Sequence, residues 1–150
     1  MHFRKAVAAT EALQEAYREG LHALKRADRE RIRCDNPRDL TGSVNLDEAL
    51  AASHPKDPRW DYGIAVRKGR GAEHVVWVEV HAATSHGAAA VCRKHSWLME
   101  WLESSAPLLR AMTGVCVWVA SGKVAIPPHS PHRRRLAAQG IRFAGRTLEL

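Results

Sequence analysis

Apolar positions recur along this chain with two different periods, and the periods divide it into elements. Between about Ala6 and Ala27, Leu13, Tyr17, Leu21 and Leu24 return at helical spacing. Glu15, Arg18, Glu19 and Lys25 fall on the other faces, so the pattern predicts a helix, with Thr10 and Glu11 leaving its start open. Asp35-Asn36-Pro37 is a turn signal. Ser43 to Asp47 alternates polar and apolar, which predicts a short strand. Glu48 to Ala52 reads as a helical turn or as the strand's exit, and the prolines of His54 to Pro58 leave room only for a loop.

The 90 residues from Asp61 onward carry stronger patterns. Asp61 to Arg67 predicts a strand, Lys68 to Glu73 a turn, and His74 to Ala82 a central strand rich in valine. Thr84 or Ser85 can cap a helix running to about Glu103, with a stripe of Ala88, Val91, His95, Leu98 and Leu102. Gly114 to Ala120 is another buried strand, and Ser121-Gly122 predicts a hairpin into Lys123 to Ile126, ended by Pro127-Pro128. His132 to Gln139 is a short helix stopped by Gly140, and Ile141–Phe143 and Thr147–Leu150 read as closing strands. The order is α, β, β, β, α, β, β, α, β, an α/β (α+β) arrangement around a mixed sheet. The strands from His74 and Gly114 flank a helix, so they are expected to run parallel with a right-handed crossover. One domain accounts for residues 1–150: an N-terminal helix within 1–30, a core at 43–126, and a C-terminal helix with strands at 127–150.

Composition narrows the class. Hydrophobic residues make up 45% of 150, enough for a core, and no apolar run approaches the roughly 20 residues of a membrane span. The charged N-terminus lacks the apolar stretch of a signal peptide. Three widely spaced cysteines argue for a reducing interior, and the cytoplasm is the expected location. The formal net charge is +7, and its excess sits in residues 101–150, with seven Lys/Arg against two Asp/Glu. A basic face suits DNA or RNA, although a basic surface can also serve solubility alone.

Candidate chemistry lies in the central hairpin. A turn near Gly71 would set Asp61 opposite His81, with Glu79 on the same face as Asp61. Such neighbours lie about 5–8 Å apart, a range at which two carboxylates share a divalent cation or raise one another's pKa. Asp47 is a candidate third carboxylate, and Lys94, at the edge of the helix stripe, could reach Glu79. Plainer readings stand beside these. Asp61 can cap a strand, Glu79 can pair with Lys94 or an arginine, His81 can be an ordinary strand histidine, and Arg133-Arg134-Arg135 can be a solvated helix start. Trp77, Trp97, Trp101 and Trp118 are most simply core, and Glu19 most simply exposed. His81, His86, Cys92 and His95 fall within fifteen residues, but the paired spacings of zinc modules are absent, as is the elbow of a Cys–His hydrolase.

With an Asp opening the second strand and an acidic residue two positions before a basic one in the third, residues 43–126 resemble the PD-(D/E)xK nuclease superfamily, whose fold is restriction-endonuclease-like. Asp61 matches the motif's Asp and Glu79 its second acidic residue. Trp60 stands where the motif has proline and His81 where it has lysine; Lys94 resembles the helix-borne replacement that some members use. The resemblance implies hydrolysis of phosphodiester bonds in DNA or RNA. Asp61, Glu79 and, as a third candidate, Asp47 would hold Mg²⁺ or Mn²⁺. His81 as a further ligand would favour Mn²⁺. Lys94 would orient water or stabilise charge, while Lys123, Arg133, Arg134, Arg135 and Arg70 would meet backbone phosphates. The departures at Trp60 and His81 leave an alternative: an inactive protein of this fold that binds nucleic acid or a protein partner. A second copy of the chain, forming a homodimer, is a further candidate partner.

Overall fold

The structure is a computed structural model describing residues 1–150. In chain order its elements are α1 (Phe3–Ala8), α2 (Arg26–Arg29), β1 (Ile32–Arg33), β2 (Leu40–Asn45), α3 (Leu46–Leu50), β3 (Tyr62–Val66), β4 (His74–His81), α4 (Ser85–Ser105), α5 (Pro107–Ala111), β5 (Thr113–Ala120), α6 (Pro131–Gln139), β6 (Ile141–Phe143) and β7 (Leu148–Glu149). Five strands form one mixed sheet in the order β2-β3-β4-β5-β6. The pairs β2–β3 and β3–β4 are antiparallel, and β4–β5 and β5–β6 are parallel. The mixed α/β class and the parallel β4–β5 pair agree with the pattern. No helix is long and apolar enough to cross a membrane.

The valine-rich strands are apolar on both sides because both faces of the sheet are covered. One face carries Val44, Trp77, Cys116 and Trp118, and packs with Val91, Leu98 and Leu102 of α4. The other carries Tyr62, Ile64, Val76, Val78, Val117 and Val119, and packs with Leu24, Ile32 and Leu148. α4 begins where Thr84 accepts a hydrogen bond from the Gly87 N–H at 2.9 Å. Gly87 permits that tight start, since a Cβ there would stand 2.0 Å from the Ala82 carbonyl oxygen. Ala88, Val91, His95, Leu98 and Leu102 are all buried, as the stripe predicts.

Four expectations are corrected. The single helix over Ala6 to Ala27 does not form. After α1 the Thr10 hydroxyl turns back onto the Ala6 carbonyl, a 3-10 turn follows at Glu11–Leu13, and Gly20 adopts φ +52°. The reason is packing: Leu13 and Tyr17 face one side of the sheet, Leu21 and Leu24 the other, so the segment wraps around the β2 edge. Arg18 pairs with Ser43 on the way. Secondly, Lys123 to Ile126 is not a strand, because β5 already has β4 and β6 on its two sides. Thirdly, Thr147 to Leu150 contributes β7 to a separate two-stranded sheet with β1 instead of closing the main one. Fourthly, the hairpin register places Tyr62 opposite Val78, which makes Glu79, and not His81, the residue facing Asp61.

Gly63 faces Trp77 across β3 and β4, and a Cβ on it would stand 2.5 Å from Trp77 Cζ3. Trp77 is fully buried and its Nε1 is tied to Thr113 Oγ1 at 3.0 Å, so the ring cannot yield. Gly63→Ala is expected to cost about 1–3 kcal/mol by overpacking. Urea unfolding measures it, and an unchanged midpoint would contradict this packing.

Candidate active site

A carboxylate in the middle of an apolar sheet needs a reason. Glu79 continues the alternation of β4 after Trp77, so it points to the α4 face, and it is 0% exposed. Taking a carboxylate out of water costs several kcal/mol unless partners replace the solvent. Three groups do so. The Asp61 N–H donates to Glu79 Oε1 at 3.1 Å, Lys94 Nζ donates to Oε2 at 2.6 Å, and His81 Nδ1 lies 3.5 Å from Oε2. Lys94 comes from the third turn of α4, and its reach to the sheet follows from the helix crossing that face.

Asp61 lies just before β3 and directly beside Glu79. Its Oδ2 accepts the Val80 N–H at 3.0 Å, while Oδ1 has no protein partner and stays open to solvent. Burial, with the charge of Glu79 beside it, pushes the Asp61 pKa up to about 7, against the opposing pull of Lys94 and the Val80 N–H. Burial alone would lower the Lys94 pKa, but the charge and hydrogen bond of Glu79 outweigh it and hold the ammonium above its ordinary range. The site therefore holds an ionised lysine and, near neutrality, an Asp61 carboxyl divided between its two protonation states.

Asp47 is in the first turn of α3, not at a strand end. Its charge contributes to raising Asp61, but its Oδ1 is held by Arg59 Nε at 3.1 Å. The three carboxylates therefore do not form one cluster, and no three His, Cys, Asp or Glu side chains converge to hold a metal by themselves. His86 is exposed while Cys92 and His95 are buried, which separates the residues of the zinc reading. Of the basic residues, Lys123 lies beside β4, since Ser121 N bonds the His81 carbonyl and Ala125 N bonds that of Ala83. Arg133 stacks on Phe143 at 4.5 Å, and Arg134 folds back onto the His129 carbonyl. Arg135 lies near enough to Cys92 of α4 to act on its thiol. Arg70 is exposed in the β3–β4 turn, at the other end of those strands from Asp61 and Glu79.

Sequence reasoning missed Arg59 and Arg31. Arg59 binds Asp47 and also donates to the His54 carbonyl at 2.6 Å; its place two residues before Asp61 was the one available signal. Arg31 donates to the carbonyls of Ala120 and Ser121 at the end of β5, and nothing in its sequence neighbourhood marks it. Trp60, in the motif's proline position, is fully buried with its ring edge-on to His95 at 6.1 Å.

No protein-family model, curated protein or solved structure matches the chain. A hydrated Mg²⁺ or Mn²⁺ is commonly held by one or two carboxylates plus waters and substrate phosphates, without an all-protein cage. The open Asp61 Oδ1 beside Glu79 fits that demand, whereas it falls short of the four ligands of structural zinc. Cavities of about 490 Å³, near Arg18 and Glu48, and about 620 Å³, near His54 and Trp101, both leave out Asp61, Glu79 and Lys94. The pair lies where β3 begins and β4 nears its carboxyl end.

Proposed function

We propose that this chain is a divalent-metal-dependent nuclease hydrolysing phosphodiester bonds in DNA or RNA, a divergent relative of the PD-(D/E)xK superfamily. The observation that carries the reading is the facing pair Asp61 and Glu79, with Lys94 on Glu79 and one Asp61 oxygen open to solvent. A bound Mg²⁺ or Mn²⁺ would polarise the phosphate and make a bound water more acidic. Asp61 and Glu79 would hold it, and its charge would favour the ionised form of Asp61. Lys94, fixed by a bond of 2.6 Å, would stabilise charge developing on the phosphate oxygens. His81 keeps Nε2 free of protein partners and 30% of its side chain exposed, so it can meet the substrate or an ordered water.

One observation favours the second reading, a protein of this fold that binds without cutting. Lys94 already neutralises Glu79, so the glutamate is held without a metal cation. Incubation of the protein with plasmid, single-stranded DNA and RNA, with Mg²⁺ or Mn²⁺, separates the two. The nuclease reading expects cleavage that stops with chelator and falls at least about 100-fold in Glu79→Gln, beyond the usual 10–100-fold of losing an outer-shell partner. Metal-independent cleavage, or cleavage that Glu79→Gln leaves intact, would remove this site from consideration.

A further inference from the structure

The whole formal charge of +7 belongs to one stretch of chain. Residues 104–148 hold seven Lys/Arg and no Asp or Glu, and outside them sixteen Lys/Arg meet sixteen acids. That stretch builds β5, α6 and β6, the side of the sheet beyond Glu79.

The fold gathers part of this charge, and one arginine from elsewhere, at the carboxyl ends of β4 to β6. Lys123 is exposed between Ser121, whose N–H bonds the His81 carbonyl at 3.1 Å, and Ala125, whose N–H bonds that of Ala83 at 2.9 Å. Arg31 crosses from the opposite face, its two terminal nitrogens 3.2 and 3.0 Å from the Ala120 and Ser121 carbonyls. The Gly145 carbonyl takes the Ala120 N–H at 2.7 Å, which brings the exposed Arg146 to the same strand end. Arg133 covers the Phe143 ring, and Phe143 packs edge-on against Trp118 at 5.0 Å. Trp118 is the register partner of Glu79, and its Nε1 donates to the His81 carbonyl at 3.0 Å. None of these four cations forms an ion pair, unlike Arg59, Lys68 and Lys94. Across Glu79 the rim changes sign, with Asp61 and then Asp47 and Glu48 of α3.

We propose that Arg31, Lys123, Arg133 and Arg146 form a phosphate track, across which a nucleic-acid backbone approaches the carboxylate pair from the β5–β6 side. The inference rests on the nuclease reading for where the scissile bond lies, but the track binds with or without cleavage. Unpaired cations spread over three neighbouring strand ends, roughly 10 Å of rim, suit a backbone of regularly spaced charge. They are read through phosphates, so the track is indifferent to sequence.

Fluorescence anisotropy with wild-type protein in chelator, where no metal-dependent cleavage intervenes, tests this on labelled single-stranded DNA, single-stranded RNA and duplex DNA. The log–log dependence of binding on salt is expected to have a slope of about −2.8 for single strands to −3.6 for duplex, from roughly 0.7–0.9 per phosphate contact over four cations. Lys123→Gln and Arg146→Gln each flatten it by about one contact, while Lys56→Gln, in the loop beyond α3, leaves it unchanged. Arg146 makes no side-chain hydrogen bond, so its variant removes charge without disturbing the fold. Unaltered slopes in both rim variants, equal flattening by Lys56→Gln, or complete displacement by polyglutamate of equal charge would overturn the track. Track binding without cleavage would sink the catalytic reading alone. Metal-dependent cleavage with unaltered slopes in the rim variants would sink the track alone.

Discussion

Asp61→Asn is expected to make this protein more stable at pH 8, by about 2–4 kcal/mol, and to leave it nearly unchanged at pH 4. The cause is proton linkage. Burial and the adjacent Glu79 raise the folded pKa of Asp61 to about 7, from its ordinary 3.8. A raised folded pKa contributes stability that is complete below the unfolded value and lost as pH rises through the folded one. Above about pH 7 the wild type therefore keeps a charge that its site disfavours, at 1.36 kcal/mol per unit of difference. Asparagine is nearly the same shape, its oxygen can still accept the Val80 N–H, and it does not titrate. The gain corresponds to roughly 5–12 °C in melting temperature for a chain of this size. Scanning calorimetry of both proteins between pH 4 and pH 8 measures it. Equal stabilities at pH 8 would mean that Asp61 is not held in the environment described.

Lys94→Met is expected to cost about 3–5 kcal/mol, because it leaves the 0% exposed Glu79 without its cation. Glu79→Gln should cost less, since the Lys94 side chain is 22% exposed and its ammonium can recover water. The double variant should regain much of the loss, as replacing both members of a buried pair often does. A coupling energy of at least about 2 kcal/mol in a double-mutant cycle follows. Strictly additive costs would mean that the 2.6 Å contact contributes nothing in solution.

Much of the candidate site was legible because strands alternate with period two. A glutamate within the run Val75 to Val80 is conspicuous, and parity placed it on the same face as Asp61. The register was off by two residues, since the turn centres at Arg70 instead of Gly71. Shifting a turn centre by one residue moves each partner by two, which preserves the face and changes the neighbour. That is why Glu79 kept its place in the site and His81 lost its position opposite Asp61. The N-terminal segment misled because its leucines have helical spacing but serve two faces of the sheet, a tertiary fact that periodicity cannot carry. Lys123 to Ile126 has strand-like composition but no free edge to join. Asp47 was legible as a nearby acid, but its engagement by Arg59 depends on a loop fold that no local pattern encodes.

If Asp61 and Glu79 form the proposed metal-dependent phosphodiesterase site, Asp61→Asn must change activity and stability in opposite directions when both are measured on the same sample. At pH 8 the variant is expected to melt higher than the wild type in chelator and, once Mn²⁺ is added with a nucleic acid that the wild type cleaves, to cleave at least about 100-fold more slowly, the trade expected where a site keeps a destabilising charge for function. A variant that melts higher and cleaves at the wild-type rate would contradict this reading of the site.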